Sequence, residues 1–238
     1  MIVFDGAAVS VDGPARGRPI LAPLTLELSE RRIAVIGANG SGKSTLLKLI
    51  NGLVTPTTGR VEVDGLNTTT SGRAVRQRVG FVFTDPLSQL VMPTGREDVE
   101  LSLRSRIRNP TERRSAALEV LGRFGLAPLA DQSIYDLSGG ERQLMALATV
   151  LAVDPAILVA DEPTTLLDLR NERRVRSVFR GLDQQVVFTT HDLDFAGDSD
   201  RVLVVDAGQV VFDGDPGAAI EHYRRLHADA DPLPGQHP

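Results

Sequence analysis

Four apolar residues, Ile33-Ala34-Val35-Ile36, run directly into Gly37-Ala38-Asn39-Gly40-Ser41-Gly42-Lys43-Ser44-Thr45, and a helical pattern, LLKLING, follows. A short β-branched run, a glycine-rich turn and a helical pattern in immediate succession call for strand, loop and helix with nothing between them. The glycines let backbone N–H groups turn inward at a helix start, where the aligned peptide dipoles favour negative charge. G-x-x-x-x-G-K-S in this setting is a cradle for a polyphosphate. We therefore assign Gly37, Asn39, Gly40, Ser41, Gly42, Lys43, Ser44 and Thr45 to phosphate binding. Lys43 reaches the β- and γ-phosphates, and the Ser44 hydroxyl is a ligand for Mg²⁺. Of 26 cationic side chains in the chain only Lys43 and Lys48 are lysines, so lysine is kept where a compact ammonium has a use.

Composition closes off several other chemistries. The 238 residues contain no cysteine, which excludes a disulfide framework, a thiolate zinc site and cysteine catalysis. Four histidines are spread along the chain, too few and too scattered for a polyhistidine metal cage. The net charge of −5 argues against a partner held by bulk positive charge, and we expect no nucleic acid. No apolar run approaches the roughly 20 residues that span a bilayer. The opening MIVFDGAAVSVDG is acidic and lacks the plan of an export signal. We expect an intracellular protein that another chain brings to any membrane it serves.

β-Branched runs near residue 3 and at Leu24–Leu28, Ile33–Ile36, 60–65, 79–83, Ile157–Ala160, Val186–Thr190, Val202–Asp206 and Gln209–Phe212 predict strands. The runs at 33–36, 157–160 and 186–190 are apolar almost throughout, as parallel strands covered on both faces are. The early strands alternate, as antiparallel edge strands do. Ala207-Gly208 predicts a hairpin turn. Residues 94–153 carry no convincing strand but give helical patterns at Glu97–Arg106, Thr111–Phe124 and Glu141–Ala152. We read an α/β core of residues 1–83 and 154–227, a helical insert over 84–153, and a polar, proline-rich flexible tail at 228–238.

Two further stretches carry chemistry. The strand at 157–160 ends in Asp161-Glu162-Pro163. Adjacent carboxylates are costly on a buried strand but useful at its end beside a phosphate loop. There Asp161 holds Mg²⁺ through water, and Glu162 orients and deprotonates an attacking water. Further back, Leu137-Ser138-Gly139-Gly140-Glu141 opens a helix with serine and two glycines, a second anion site on one chain. A single nucleotide has no obvious need of two.

With these motifs assembled, the sequence resembles the ATP-binding subunit of ABC transporters. GANGSGKST is similar to the Walker A motif, LSGGE to the signature and ILVADEP to the Walker B. Thr164–Asp168 resembles the D-loop and Thr190-His191-Asp192 the switch-histidine loop. The resemblance covers residues 1–217 in family order. It implies a P-loop NTPase: a RecA-like core with an antiparallel β edge and an inserted helical subdomain. It also implies ATP and Mg²⁺ as ligands, and a head-to-tail dimer, which accounts for two anion sites. Ser138, Gly139 and Gly140 of one subunit would then meet the nucleotide held by Gly40–Thr45 of the other. His191 would contact the γ-phosphate, and Asp168 would link the sites.

Gly80–Asp98 resembles the corresponding stretch in ATPases of energy-coupling-factor (ECF) importers for vitamins and cobalt or nickel ions. GFVFTDP, VMPT and DEPTTLLDLRN are most similar to the biotin-type subunit. This implies an integral-membrane coupling subunit, a substrate-capture subunit, a dimer of ATPase subunits with identical chains favoured, and a peripheral place on the cytoplasmic face. The alternative is a soluble ABC-type ATPase of DNA repair or translation; it is disfavoured by the acidic charge, the single ATPase unit and the lack of sustained heptads. Two positions depart from the family. Thr84 stands where glutamine reaches Mg²⁺ and the attacking water; its hydroxyl is a candidate ligand of Mg²⁺, directly or through a water, with Gln89 as a candidate substitute. Val11 stands where an aromatic stacks on adenine, with Arg16 as a candidate substitute.

Overall fold

The computed structural model describes residues 1–11, 18–165 and 167–228. Its elements run β1 (Ile2–Ser10), β2 (Pro19–Leu28), β3 (Arg32–Ile36), α1 (Lys43–Ile50), β4 (Thr58–Val63), β5 (Leu66–Asn67), α2 (Gly72–Arg78) and β6 (Val79–Val82). They continue through α3 (Gly95–Leu103), α4 (Pro110–Arg123), α5 (Gly139–Leu151), β7 (Ile157–Ala160), α6 (Leu169–Gly181), β8 (Gln185–Thr189), α7 (Leu193–Gly197), β9 (Arg201–Asp206), β10 (Gln209–Gly214) and α8 (Pro216–Ala228). Two compact units divide the chain: Met1–Thr70 with Thr189–Pro238, and Ser71–Phe188.

In the first unit, β1 lies antiparallel to both β2 and β4, giving the order β2-β1-β4-β5. Its alternating side chains bury Ile2, Phe4, Leu28, Val61 and Val63 completely. β3 pairs in parallel with β9, Ile33 opposite Arg201 through Ile36 opposite Val204, and is apolar because every residue from Ile33 to Ile36 is buried. β9 and β10 form the expected hairpin. Ala207 and Gly208 both have positive φ, 44° and 79°, as a two-residue turn that follows the strand twist requires. Arg201 locks the start of β9: its Nη1 donates to both Glu30 carboxylate oxygens (3.1 and 3.0 Å) and its Nη2 to Asp213 (2.6 Å).

In the second unit, β6, β7 and β8 are parallel in the order β8-β7-β6. All four residues of β7 are buried. Between β6 and β7 the chain is helical, with 3₁₀ turns at Pro86–Ser88, Ala127–Leu129 and Ile134–Asp136 around α3, α4 and α5. The three expected helices in this stretch are present, each starting one or two residues earlier than its pattern. At α4 the cap is Asn109, whose side chain accepts from Thr111 N and Glu112 N, so Pro110 is the first helical residue. α2, α6 and the three parallel strands group with the helical stretch, because α5 packs its buried face on β6. The expected tail, apart from Ala228 at the end of α8, lies outside the described residues.

Candidate active site

The first unit holds the glycine-rich loop. β3 delivers the chain at Gly37, where a Cβ would stand 2.1 Å from the Val205 carbonyl oxygen. Gly42, at φ 107°, turns it into α1 and lets Leu46 N bond to the Gly42 carbonyl at 3.0 Å. The β9–β10 turn braces the loop from behind: Gly208 N donates to Ser41 O (2.9 Å), and Ala22 N donates to Gly208 O (2.8 Å). Asn39 and Gly40 are exposed at the tip; Ser44 and Thr45 are half-buried in the first turn of α1. Lys43 is buried and its ammonium spans the loop, donating to Gly37 O at 2.8 Å and Ala38 O at 3.0 Å. The Ser41 hydroxyl is buried with no hydrogen-bond partner. A loop turned by positive-φ glycines at 37, 40 and 42, an ammonium held on its carbonyls and an orphaned hydroxyl fit a polyphosphate. His191 is exposed just past β8, and the preceding Thr190 N donates to Val35 O (3.3 Å). That bond sets His191 beside the end of β3, where the phosphate loop begins.

The second unit holds the carboxylates. β7 ends at Asp161, whose N–H donates to Val82 O at 2.9 Å. Asp161 and Glu162 are 5% and 8% exposed, so both carboxylates are shielded from solvent. Glu162 has φ 51°, a left-handed conformation costing about 1–3 kcal/mol in a non-glycine residue and characteristic of functional sites. Its backbone carbonyl accepts from Thr165 N (3.2 Å), and its Oε2 accepts from the Thr165 hydroxyl (3.1 Å). Thr84 is exposed, two residues beyond β6. Asp161 is a hard oxygen donor of the kind that suits Mg²⁺. Among the described residues no group of three or more His, Cys, Asp or Glu side chains forms a metal cage.

The serine-glycine run caps α5. Ser138 Oγ accepts from Glu141 N (3.3 Å), while Glu141 Oε2 accepts from Ser138 N (2.8 Å) and Ser138 Oγ (2.7 Å), a complete capping box. The hydrogen bonds from Ser138, side chain first, hold the Glu141 carboxyl below its ordinary pKa. Asp168 caps α6, accepting from Asn171 N (2.8 Å) and Asn171 Nδ2 (3.1 Å). Asn171 in turn lies against Gly140. The D-loop and signature positions are therefore tied within one unit through Asn171, the last residue of the DEPTTLLDLRN stretch. The sequence signal for that role is a side chain three residues after an Asp cap.

Residues 21–165 match the profile of the family described as ABC transporter. The chain belongs to that family. The biotin transport ATP-binding protein BioM of Rhizobium etli is 42% identical over 227 residues, covering 95% of this chain and 99% of that one. The energy-coupling factor transporter ATP-binding protein EcfA1 of Halalkalibacterium halodurans is 36% identical over 228 residues, covering 93% of this chain and 82% of its own. A dimeric ATP-binding cassette in a post-hydrolysis state, bound to ADP and Pi, superposes with a TM-score of 0.82 at 30% identity, over 91% of this chain and 99% of the other. The protein is an ABC transporter ATP-binding subunit, an ATPase with the P-loop α/β fold.

For an ABC ATPase, two substitutes expected from the sequence fare differently. Gln89 is not available to replace a glutamine at 84: its Oε1 accepts from Phe83 N (3.3 Å) and its Nε2 donates to Ala146 O (2.8 Å), fastening the loop to α5. Val11 is 47% exposed and offers no aromatic face, and Arg16 lies outside the described residues.

Proposed function

We propose that this subunit hydrolyses ATP with Mg²⁺ to drive an ECF-type importer of a vitamin, biotin first. The carrying observation is the likeness to the biotin transport protein over nearly the whole of both chains. Lys43 and the backbone of residues 37–45 hold the phosphates of ATP. Ser44 and Asp161 hold Mg²⁺, with Thr84 as a further oxygen near the attacking water. The bound cation neutralises charge between the β- and γ-phosphates. Glu162 takes the proton of the attacking water, from a position shielded from solvent. His191 contacts the γ-phosphate, and Asp168 links two sites in a head-to-tail dimer of identical chains. Ser138 and Gly140 of each chain close the partner's site, a use for a capped helix start on an ATPase that already has one anion cradle.

Among the described residues no helix is long and apolar enough to cross a membrane. In this reading the chain works at the cytoplasmic membrane face, and passage across the membrane belongs to an integral-membrane coupling subunit and a substrate-capture subunit. Membranes carrying this chain with its coupling and capture subunits should accumulate radiolabelled biotin on ATP addition and fail to with Lys43→Ala. Uptake of cobalt or nickel instead of biotin would overturn the substrate reading.

The loop after the Pro86–Ser88 turn is the surface we propose for the coupling subunit. Val91 is 69% exposed, and Leu87 is exposed as well. Leu90 is instead 4% exposed and part of the core, so it takes no part in that surface. The loop is pinned because Asp98 Oδ1 accepts from Val91 N (3.0 Å) and Met92 N (3.2 Å). Burial nonetheless pushes the Asp98 carboxyl above its ordinary pKa. Val91→Asp is expected to cut membrane co-sedimentation and leave the melting temperature and ATP binding unchanged. Leu90→Asp is expected to cost about 3–5 kcal/mol of stability, as a buried cavity and an unpaired charge together do. Equal effects of the two on folding would place Val91 in the core.

A further inference from the structure

One buried polar group of the second unit is left over. Gln143 is 3% exposed and its Nε2 has no hydrogen-bond partner. A buried amide in that state costs roughly 1–3 kcal/mol, so native proteins rarely keep one without a use. Gln143 sits one turn behind the signature serine on α5. With Thr84, Asp85, Gly139, Thr165 and Leu167 it lines a cavity of about 260 Å³.

The other polar side chains on that lining are committed. Asp85 accepts from Leu87 N (3.0 Å) and Ser88 Oγ (3.0 Å). Arg142 donates to the carbonyls of Ile134 (2.9 Å) and Tyr135 (2.7 Å). Thr165 donates to Glu162. Among the other described residues of that lining the Thr84 hydroxyl is the side-chain oxygen with no hydrogen bond of its own, and it stands at the position where this chain departs from its family. Gln89, the nearer amide in sequence, is occupied by Phe83 and Ala146.

We propose that Gln143 is a positioning residue for Thr84. Its Nε2 donates to Thr84 Oγ1 through one water held in the cavity, whose volume of about 260 Å³ leaves room for it. The link ties the loop after β6 to the helix that begins at Ser138, so closure of the signature on a nucleotide sets the orientation of the Thr84 hydroxyl. The proposal rests on the reading of positions 84 and 138 as parts of the nucleotide sites.

A double-mutant cycle on the full chain tests it. Gln143→Leu keeps the volume and removes the donor. It is expected to lower kcat about tenfold with the KM for ATP within about twofold, because it disturbs orientation and not binding. Thr84→Ala/Gln143→Leu is expected to be no slower than the slower single variant. Losses that multiply overturn the proposal. A second readout needs no turnover: the ¹⁵N side-chain amide pair of Gln143, identified by its disappearance in Gln143→Leu, is expected to shift in Thr84→Ala. Should Gln143→Leu fail to fold, Gln143→Asn identifies the pair. Thr84→Ala is an exposed substitution, and an unmoved pair in it overturns the proposal. A wild-type chain without ATPase activity defeats the functional reading instead, and the amide shift still judges the link.

Discussion

Glu162→Gln is expected to abolish turnover while leaving ATP bound. Loss of a positioned general base lowers a rate about 10²–10⁴-fold. The structure makes this substitution unusually clean. The Thr165 hydroxyl donates to Glu162 Oε2 at 3.1 Å, and a glutamine carbonyl oxygen accepts the same bond. The left-handed φ of 51° suits glutamine no worse than glutamate, so the turn after β7 should survive. Lys43 and the glycine loop are untouched, and ATP affinity should match that of the parent. If ATP bridges two chains, it is then never cleared, and size-exclusion chromatography should show a dimer with ATP and a monomer without it. A variant that hydrolyses ATP within tenfold of the parent would remove Glu162 from the role of base. A variant that is inactive but stays monomeric in saturating ATP would leave the base and defeat the shared site.

Much of this was legible in the sequence, for identifiable reasons. β3, β7 and β8 are covered on both faces, and uninterrupted apolar runs announce that. The glycine loop and the capped start of α5 are local devices whose residues lie side by side in the chain. α6 was harder to read. Only Val175 and Phe179 of its thirteen residues are buried, and its many arginines leave little apolar pattern. The roles of Gln89 and Gln143 were not legible, because they depend on which distant groups meet their amides. Nothing in the order of residues distinguishes the glutamine whose amide bonds Phe83 N and Ala146 O from the one left facing a cavity. The same holds for Leu90 and Val91, adjacent apolar residues of which the fold buries one and exposes the other.

Gly140→Ala should destabilise the protein, and Gly139→Ala should not, although both sit in the first turn of α5. At an open helical position alanine is better than glycine by about 0.5–1 kcal/mol. Gly139 is such a position, with nothing within 4 Å of where its Cβ would stand. At Gly140 the Cβ would lie 2.1 Å from Asn171 Cγ and 2.5 Å from Asn171 Cβ. Asn171 cannot simply swing aside, because its Nδ2 is bonded to the cap residue Asp168 at 3.1 Å. Either α5 and α6 separate or the Asp168 cap breaks, and overpacking of this kind costs roughly 1–3 kcal/mol. The two alanine variants should therefore melt on opposite sides of the parent. Trimming Asn171 to alanine does not relieve the contact, since its Cβ remains. Asn171→Gly does relieve it, at a helix-propensity cost of only about 0.3 kcal/mol relative to asparagine. Gly140→Ala/Asn171→Gly should then be more stable than the sum of the single effects, whereas Gly140→Ala/Asn171→Ala should be close to additive. Thermal melts of the six variants, the two Asn171 singles included, decide this. A Gly140→Ala protein at least as stable as Gly139→Ala would show that α5 and α6 are not in close contact at Gly140. The connection from Asp168 to the signature helix would fall with it.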